Sequence, residues 1–160
     1  MNVLVEQAVP EDIPSILALI RELAVYERAE GEVIVTADTL LQDGFGENKV
    51  FTCFVSRDKE IISGIALVYT KYSTWKGKCI FLEDIIVNER YRRHGIGSAL
   101  FQRVIRFAKE KNAGRLEWQV LDWNEPAIEF YRKFEAEFDA TWINCRFTGE
   151  QLMNMEIVME

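Results

Sequence analysis

The chain has 160 residues, 49% of them apolar, and a formal net charge of −7. That length suits one compact domain, 1–160, with one core. No stretch is apolar enough to span a bilayer, and the acidic balance argues against a nucleic-acid partner, which needs clustered Lys and Arg. An acidic surface attracts a small cationic substrate, or simply keeps a protein soluble; composition leaves both readings open.

The N-terminus reads Met1-Asn2-Val3-Leu4-Val5-Glu6. It lacks a basic region followed by an apolar run, which argues against a secretory signal. Cys53, Cys79 and Cys145 are far apart and form no C-x-x-C pair, so neither a disulfide framework nor a zinc site is expected. Cys53 and Cys79 lie in apolar runs and read as buried small hydrophobes. The expected compartment is the cytoplasm.

Val3 to Val9 reads as a short strand. Pro10-Glu11-Asp12 opens a helix, with acids at its positive end. Ile13, Ile16, Leu17, Ile20, Leu23 and Ala24 recur at helical spacing to about Arg28. Thr36-Ala37-Asp38-Thr39 caps a short helix reaching Asp43, and Gly44-Phe45-Gly46 breaks it. Phe51–Ser56 and Ile61–Thr70 form an antiparallel hairpin around a polar turn. Lys71 to Lys78 reads as a loop, and Cys79–Val87 as a strand that is apolar except for Glu83 and Asp84.

Leu100, Phe101, Val104, Ile105 and Ala108 share one face of a helix from Gly97 to about Lys111. Asn112-Ala113-Gly114 stops it. Arg115–Leu121 is the next strand and Ala127–Phe134 a short helix. The tail from Phe138 reads as one or two weaker strands. The fold class is α/β, with a mixed sheet whose parallel neighbours lie around the crossover helix.

The informative segment is Arg92-Arg93-His94-Gly95-Ile96-Gly97, between a strand and a helix. A helix N-terminus offers free N–H groups and partial positive charge. Glycines let a phosphate approach the backbone, successive N–H groups form an anion nest, and Arg92 and Arg93 add charged donors. A G-x-G turn by itself can equally be a plain connection. It is not a Walker loop, because no G-K-[ST] follows, nor is it G-x-G-x-x-G.

Arg92-x-x-Gly95-x-Gly97 after a strand resembles the R/Q-x-x-G-x-G/A signature of the GNAT acetyltransferase superfamily. Leu82-Glu83-Asp84-Ile85-Ile86-Val87 resembles its central strand. Trp123-Asn124-Glu125-Pro126-Ala127-Ile128-Glu129-Phe130-Tyr131 resembles its later motif. Leu23-Ala24-Val25-Tyr26-Glu27, Asp43-Gly44-Phe45-Gly46 and Tyr72-Ser73-Thr74-Trp75-Lys76-Gly77-Lys78 resemble its diamine acetyltransferase branch, which includes spermidine/spermine and thialysine acetyltransferases.

The resemblance implies a single domain with a mixed, largely antiparallel sheet flanked by helices. It implies acetyl-CoA as co-substrate, a small primary amine as acceptor (a diamine, a polyamine or a thialysine- or lysine-like amino acid), and a homodimer. Acetyl-CoA contacts fall to Ile85, Ile86, Val87, Arg92, Arg93, His94, Gly95, Ile96, Gly97, Ser98, Asn124, Pro126 and Ala127. Tyr26, Glu27, Trp75 and Asp84 become amine-site residues. Tyr131 becomes the donor to the departing sulfur and Glu83 the base.

The residues themselves leave other readings open. Tyr131 beside Phe130 also reads as a core aromatic. A phenol with a pKa of about 10 is protonated at neutral pH and can donate. Adjacent acids in a strand face opposite sides of the sheet, so Glu83 and Asp84 also read as one buried, paired acid and one rim acid. His94, the only histidine, reads as a turn residue near phosphate; one His and scattered acids make no metal site. A protein N-acetyltransferase or a non-catalytic acetyl-CoA-binding module are the alternative functions.

The resemblance departs after Tyr131. Glu135 stands where the family usually has Gly. Trp142-Ile143-Asn144-Cys145 carries no acid where spermidine/spermine enzymes use one.

Overall fold

The computed structural model describes residues 3–157. Met1 and Asn2 of the N-terminal reading, and the last three residues of the expected 1–160 domain, lie outside them. Two compact units are distinguished, one up to Gln119 and one from Val120.

The first unit is built on five strands in the order β1-β2-β3-β4-β5: Leu4–Gln7, Thr52–Asp58, Ile61–Ser73, Gly77–Val87 and Leu116–Trp118. All neighbours are antiparallel except β4 and β5. That parallel step is the one spanned by the crossover helix, α3 (Ile96–Glu110). α1 (Ile13–Tyr26) and α2 (Ala37–Phe45) complete the unit. The expected α/β class with a mixed, largely antiparallel sheet is what forms.

Period-two alternation buries both sheet faces. Cys53 and Val55 of β2, Ile65 of β3 and Ile86 of β4 join Ile13, Ile16, Leu17 and Leu19 of α1 and Leu40 of α2 in one cluster. Phe54, between Cys53 and Val55, meets Phe107 of α3 edge-on, with ring centroids 5.4 Å apart. Full burial of a side chain such as Phe54 or Phe101 contributes roughly 2 kcal/mol.

Several bounds differ from expectation. The first strand covers Leu4–Gln7, not Val3–Val9. α1 begins at Ile13 behind a 3-10 turn at Pro10–Asp12, because the N–H of Val9 and the Arg57 guanidinium both engage the Asp12 carboxylate. α2 continues through Gly44 to Phe45: the Phe51 ring lies 2.6 Å from where a Cβ on Gly44 would sit, so this glycine answers a packing need and breaks nothing.

The expected loop at Lys71 to Lys78 is mostly ladder. Lys71, Tyr72 and Ser73 pair with Cys79, Lys78 and Gly77. The Ser73 hydroxyl oxygen accepts from the N–H groups of Trp75 and Lys76, each at 3.2 Å, closing a tight tip. β5 has three residues where Arg115–Leu121 was expected.

The unit from Val120 carries α4 (Glu125–Arg132) and α5 (Gly149–Asn154). The tail strands expected after Phe138 are absent among the described residues. Trp142, Ile143, Phe147, Leu152, Met153 and Ile157 are exposed there. Apolar β-formers with no ladder partner have no hydrogen-bonding reason to extend into a strand. No helix of the described residues is long and apolar enough to cross a membrane.

Candidate active site

β4 carries the site, and a break in its register shapes it. Asp84 pairs with Leu67 and Leu82 pairs with Val68, so one step on β3 faces two on β4. Glu83 is the extra residue of a β-bulge. Tyr69 lies two residues beyond Leu67, on the same sheet face, close enough for the Glu83 carboxylate to raise its phenol. Glu83 and Asp84 therefore both lie toward the α1 face. Strict alternation put them on opposite faces; the bulge removes that alternation at this one point.

The consequence is electrostatic crowding. The Asp84 carboxyl is pushed from its ordinary value of 3.8 up to about 6, first by burial, then by the charges of Glu83 and Glu27. Glu27, which follows the last residue of α1, is itself raised by burial. Burial and the Glu83 carboxylate also raise the Tyr69 phenol. Three acids and a phenol thus converge where α1 ends over β4, an environment that a bound cation would relieve. Cys53 on the same face is pushed up to about 12 by burial and by Asp12 and Asp84, so it stays a thiol.

Past the bulge, β4 runs into the glycine turn. The β4–β5 ladder covers only Ile80 to Leu82, so Glu83 to Val87 continue beyond it toward Asn88. Arg93 and Gly95 adopt left-handed backbone, with φ of 66° and 79°. α3 starts at Ile96 with Gly95 as its N-cap, and no side chain caps it. The first hydrogen bond back is from the N–H of Ala99 to the Gly95 carbonyl, at 3.0 Å. The N–H groups of Ile96, Gly97 and Ser98 thus have no acceptor within the helix. A Cβ on Gly95 would meet nothing within 4 Å, so the space beside the turn is open. Left-handed residues and uncapped N–H groups fit a pyrophosphate.

The Arg92 and His94 side chains also make contacts within the chain. Arg92 Nε donates to the Val87 carbonyl at 3.0 Å. Its guanidinium stands 5.4 Å over the Tyr26 ring and 3.9 Å from Glu22. Arg92 thus braces the turn against α1. His94 Nδ1 donates to the Tyr91 carbonyl at 3.2 Å. Sequence reasoning missed Glu22 and Tyr69; the (i, i+4) spacing of Glu22 to Tyr26 was the available signal for the first.

Trp75 is not brought to the acids. It is 78% exposed at the β3–β4 tip. Gly77, next to that tip, precedes Glu83 by six residues, about 20 Å of strand.

In the second unit, Asn124 is the N-cap of α4, and its side-chain oxygen accepts from the Ala127 N–H at 3.4 Å. Pro126 occupies the first turn, where its missing N–H costs nothing. Tyr131 is 5% exposed and meets Phe130 edge-on at 5.2 Å. Glu135, in the family's glycine position, takes a left-handed φ of 57°. The turn after α4 thus takes a left-handed residue without glycine.

Among the described residues, no group of three or more His, Cys, Asp or Glu is placed to hold a metal ion.

Residues 14–135 match the model of the acetyltransferase (GNAT) family. A thialysine N-epsilon-acetyltransferase from Bos taurus is 39% identical, over 96% of this chain and 96% of its own length. Its counterpart from Sus scrofa is 37% identical, over 96% and 97%. An aminoglycoside acetyltransferase from an uncultured soil metagenomic sample, solved with sisomicin, superposes with a TM-score of 0.75 at 20% identity, over 91% of this chain and 95% of its own. This last likeness concerns fold alone. An uncapped glycine turn after a bulged, acid-bearing strand, inside a sequence matched over three quarters of its length, leads to one conclusion: the chain belongs to the GNAT family of acetyltransferases.

Proposed function

We propose that this enzyme moves the acetyl group of acetyl-CoA to a primary amine of a small molecule, with a thialysine- or lysine-like amino acid ahead of a polyamine as acceptor. The observation that carries this reading is the bulge that turns Glu83 and Asp84 to one face beside Glu27, on the strand that leads into the uncapped glycine turn.

The pyrophosphate lies on the backbone of Arg92 to Ser98, and the pantetheine arm follows Ile85, Ile86 and Val87. Arg93 and His94 border the phosphates. Asn124, Pro126 and Ala127 keep the contacts to acetyl-CoA that the resemblance implies.

An alkylammonium with a pKa of about 10.4 reaches the site charged. Glu27 and Asp84 hold it, with Tyr26 alongside. Glu83 takes its proton, directly or through water. The free nitrogen pair then forms the C–N bond at the thioester carbonyl, and the C–S bond breaks. Tyr131 gives its phenol proton to the sulfur and is reprotonated by the second proton that the attacking nitrogen sheds, so the products are an N-acetylamine and the free thiol of coenzyme A, with one proton left on Glu83.

The identity to thialysine acetyltransferases and the lack of an acid at Trp142 to Cys145 both favour the amino-acid acceptor over spermidine or spermine.

The same reading takes 1–160 as one acetyltransferase domain, cytoplasmic and homodimeric. The net charge of −7 opposes a nucleic-acid partner. Two observations support the dimer. The tail exposes Trp142, Ile143, Phe147 and Ile157. Trp75 also lies far along its hairpin from the acids of its own chain, so the amine-site role that the resemblance gives it falls to the site of a second copy in this reading.

Thiol release on mixing acetyl-CoA with thialysine, lysine, ornithine, spermidine and a peptide library tests the reading. Release with the amino acids supports it. Acetylated peptides alone favour a protein acetyltransferase. Binding of acetyl-CoA without turnover favours a non-catalytic module. Tyr131→Phe is expected to lower kcat by about 100-fold or more with coenzyme A affinity retained; unchanged kcat removes Tyr131 from the donor role.

A further inference from the structure

Glu22 of α1 ties down the segment that leads into the glycine turn. Its Oε2 accepts from the Asn88 side-chain amide at 2.7 Å. Its Oε1 accepts from the Glu89 backbone N–H at 2.9 Å and stands 3.9 Å from Arg92 Nη2. Arg92 in turn holds the Val87 carbonyl, 3.0 Å from its Nε. Between β4 and the turn, Asn88, Glu89 and Arg92 thus gather at one carboxylate, and Arg92 links Val87 to it.

This fastening is separate from core packing. α1 docks on the sheet through Ile13, Ile16, Leu17 and Leu19, all buried, whereas the Glu22 side chain is about 29% exposed. A surface carboxylate that accepts from a side-chain amide and a backbone N–H, and stands near a guanidinium, fixes a path for the chain. That path decides where the N–H groups of Ile96, Gly97 and Ser98 point. Tyr26, one turn further along α1, stacks on the same guanidinium.

We propose that Glu22 is a positioning residue for acetyl-CoA: it holds Asn88, Glu89 and Arg92 so that the glycine turn is preformed for the pyrophosphate. The inference rests on the reading that this turn holds acetyl-CoA. It also accounts for Arg92, whose Nε and Nη2 face Val87 and Glu22, so that the anion is left mainly to backbone donors.

Isothermal titration with coenzyme A, and initial rates with acetyl-CoA and amine varied in turn, test it. Glu22→Gln keeps one carbonyl oxygen and loses the charge and the second acceptor. It is expected to raise the coenzyme A Kd and the acetyl-CoA KM about 10-fold, with kcat and the amine KM within threefold of wild type. Glu22→Asp, which keeps both oxygens on a shorter arm, recovers part of the loss.

Arg92→Gln shifts the same constants. The double variant is no worse than the poorer single one, because both act through one contact set. A coenzyme A Kd within twofold of wild type in Glu22→Gln overturns the proposal. So does an amine KM that rises as far as the acetyl-CoA KM, or full additivity with Arg92→Gln.

If Glu22→Gln does not fold, Asn88→Ala removes the amide tie to Glu22, together with the Asn88 cap on the Arg90 N–H, and leaves α1 intact. A raised coenzyme A Kd there supports the proposal, and an unchanged one overturns it. Wild-type protein that fails to bind coenzyme A defeats the acetyl-CoA reading itself, which separates the two failures.

Discussion

Two helices of this chain begin next to residues assigned to acetyl-CoA, and they begin differently. α3 starts behind Gly95, which has a left-handed φ of 79° and no side chain to offer its N–H groups. α4 starts behind Asn124, whose side chain accepts from Ala127, and carries Pro126 in its first turn. The first start needs an external acceptor; the second is largely satisfied from within. An anion therefore gains most at α3. What α4 offers is a fixed frame for Asn124 and Tyr131. The contrast extends to the acids. Asp84 is crowded by Glu83 and Glu27, whereas Arg132 is paired locally with Glu129 on α4.

Gly95→Val tests the first half of that contrast most severely. A β-branched residue is poorly tolerated at φ 79° and fills the space beside the turn. A loss of about 100-fold in kcat/KM for acetyl-CoA is expected, equivalent to roughly 2.7 kcal/mol. Steady-state kinetics read it. A loss below threefold removes the turn from the donor site.

Asp84→Asn comes next. A carboxyl whose folded-state pKa is raised from 3.8 to about 6 binds more protons folded than unfolded between those values, so stability falls as pH rises through that window. Removing the charge returns about 3 kcal/mol well above pH 6 and nothing near pH 3. Urea denaturation at pH 4, 6 and 8 checks this; a variant less stable than wild type at pH 8 contradicts the crowding.

Asn124→Ala probes the satisfied start. Loss of the cap is expected to cost about 1 kcal/mol by urea denaturation. A stability unchanged to a few tenths would mean that the α4 start does not depend on its cap.

Glu135→Gly has the smallest expected effect. A non-glycine residue at φ 57° is strained, and glycine relieves that strain while adding freedom to the unfolded chain. A net gain of roughly 0.5 kcal/mol is expected, with activity retained. A destabilised variant would show that the Glu135 side chain has a role of its own.

The sheet, its two flanking sets of helices and the position of the glycine turn were legible because period-two and 3.6 patterns were strong. Cys53-Phe54-Val55 and the Leu100, Phe101, Val104 face are examples. What was not legible depended on contacts across the chain. The bulge at Glu83 appears only when β4 is laid against β3, so adjacent acids were assigned to opposite faces. Gly44 read as a breaker because Phe51, seven residues on, is invisible to local propensity. The contacts of Arg92 to Glu22 and Val87 were not legible because those residues lie on other elements. The tail strands failed because β-propensity at Trp142 and Ile143 does not supply a partner strand.

In the proposed reading one site serves two substrates: the glycine turn holds acetyl-CoA and the acids beside the bulge hold the amine. Initial rates with acetyl-CoA and thialysine varied independently, in wild type, Gly95→Val and Asp84→Asn, test it most directly. Gly95→Val is predicted to raise the KM for acetyl-CoA and Asp84→Asn the KM for thialysine, each with little effect on the other. No turnover by the wild type with any amine, or both variants acting on the same substrate, would contradict the account.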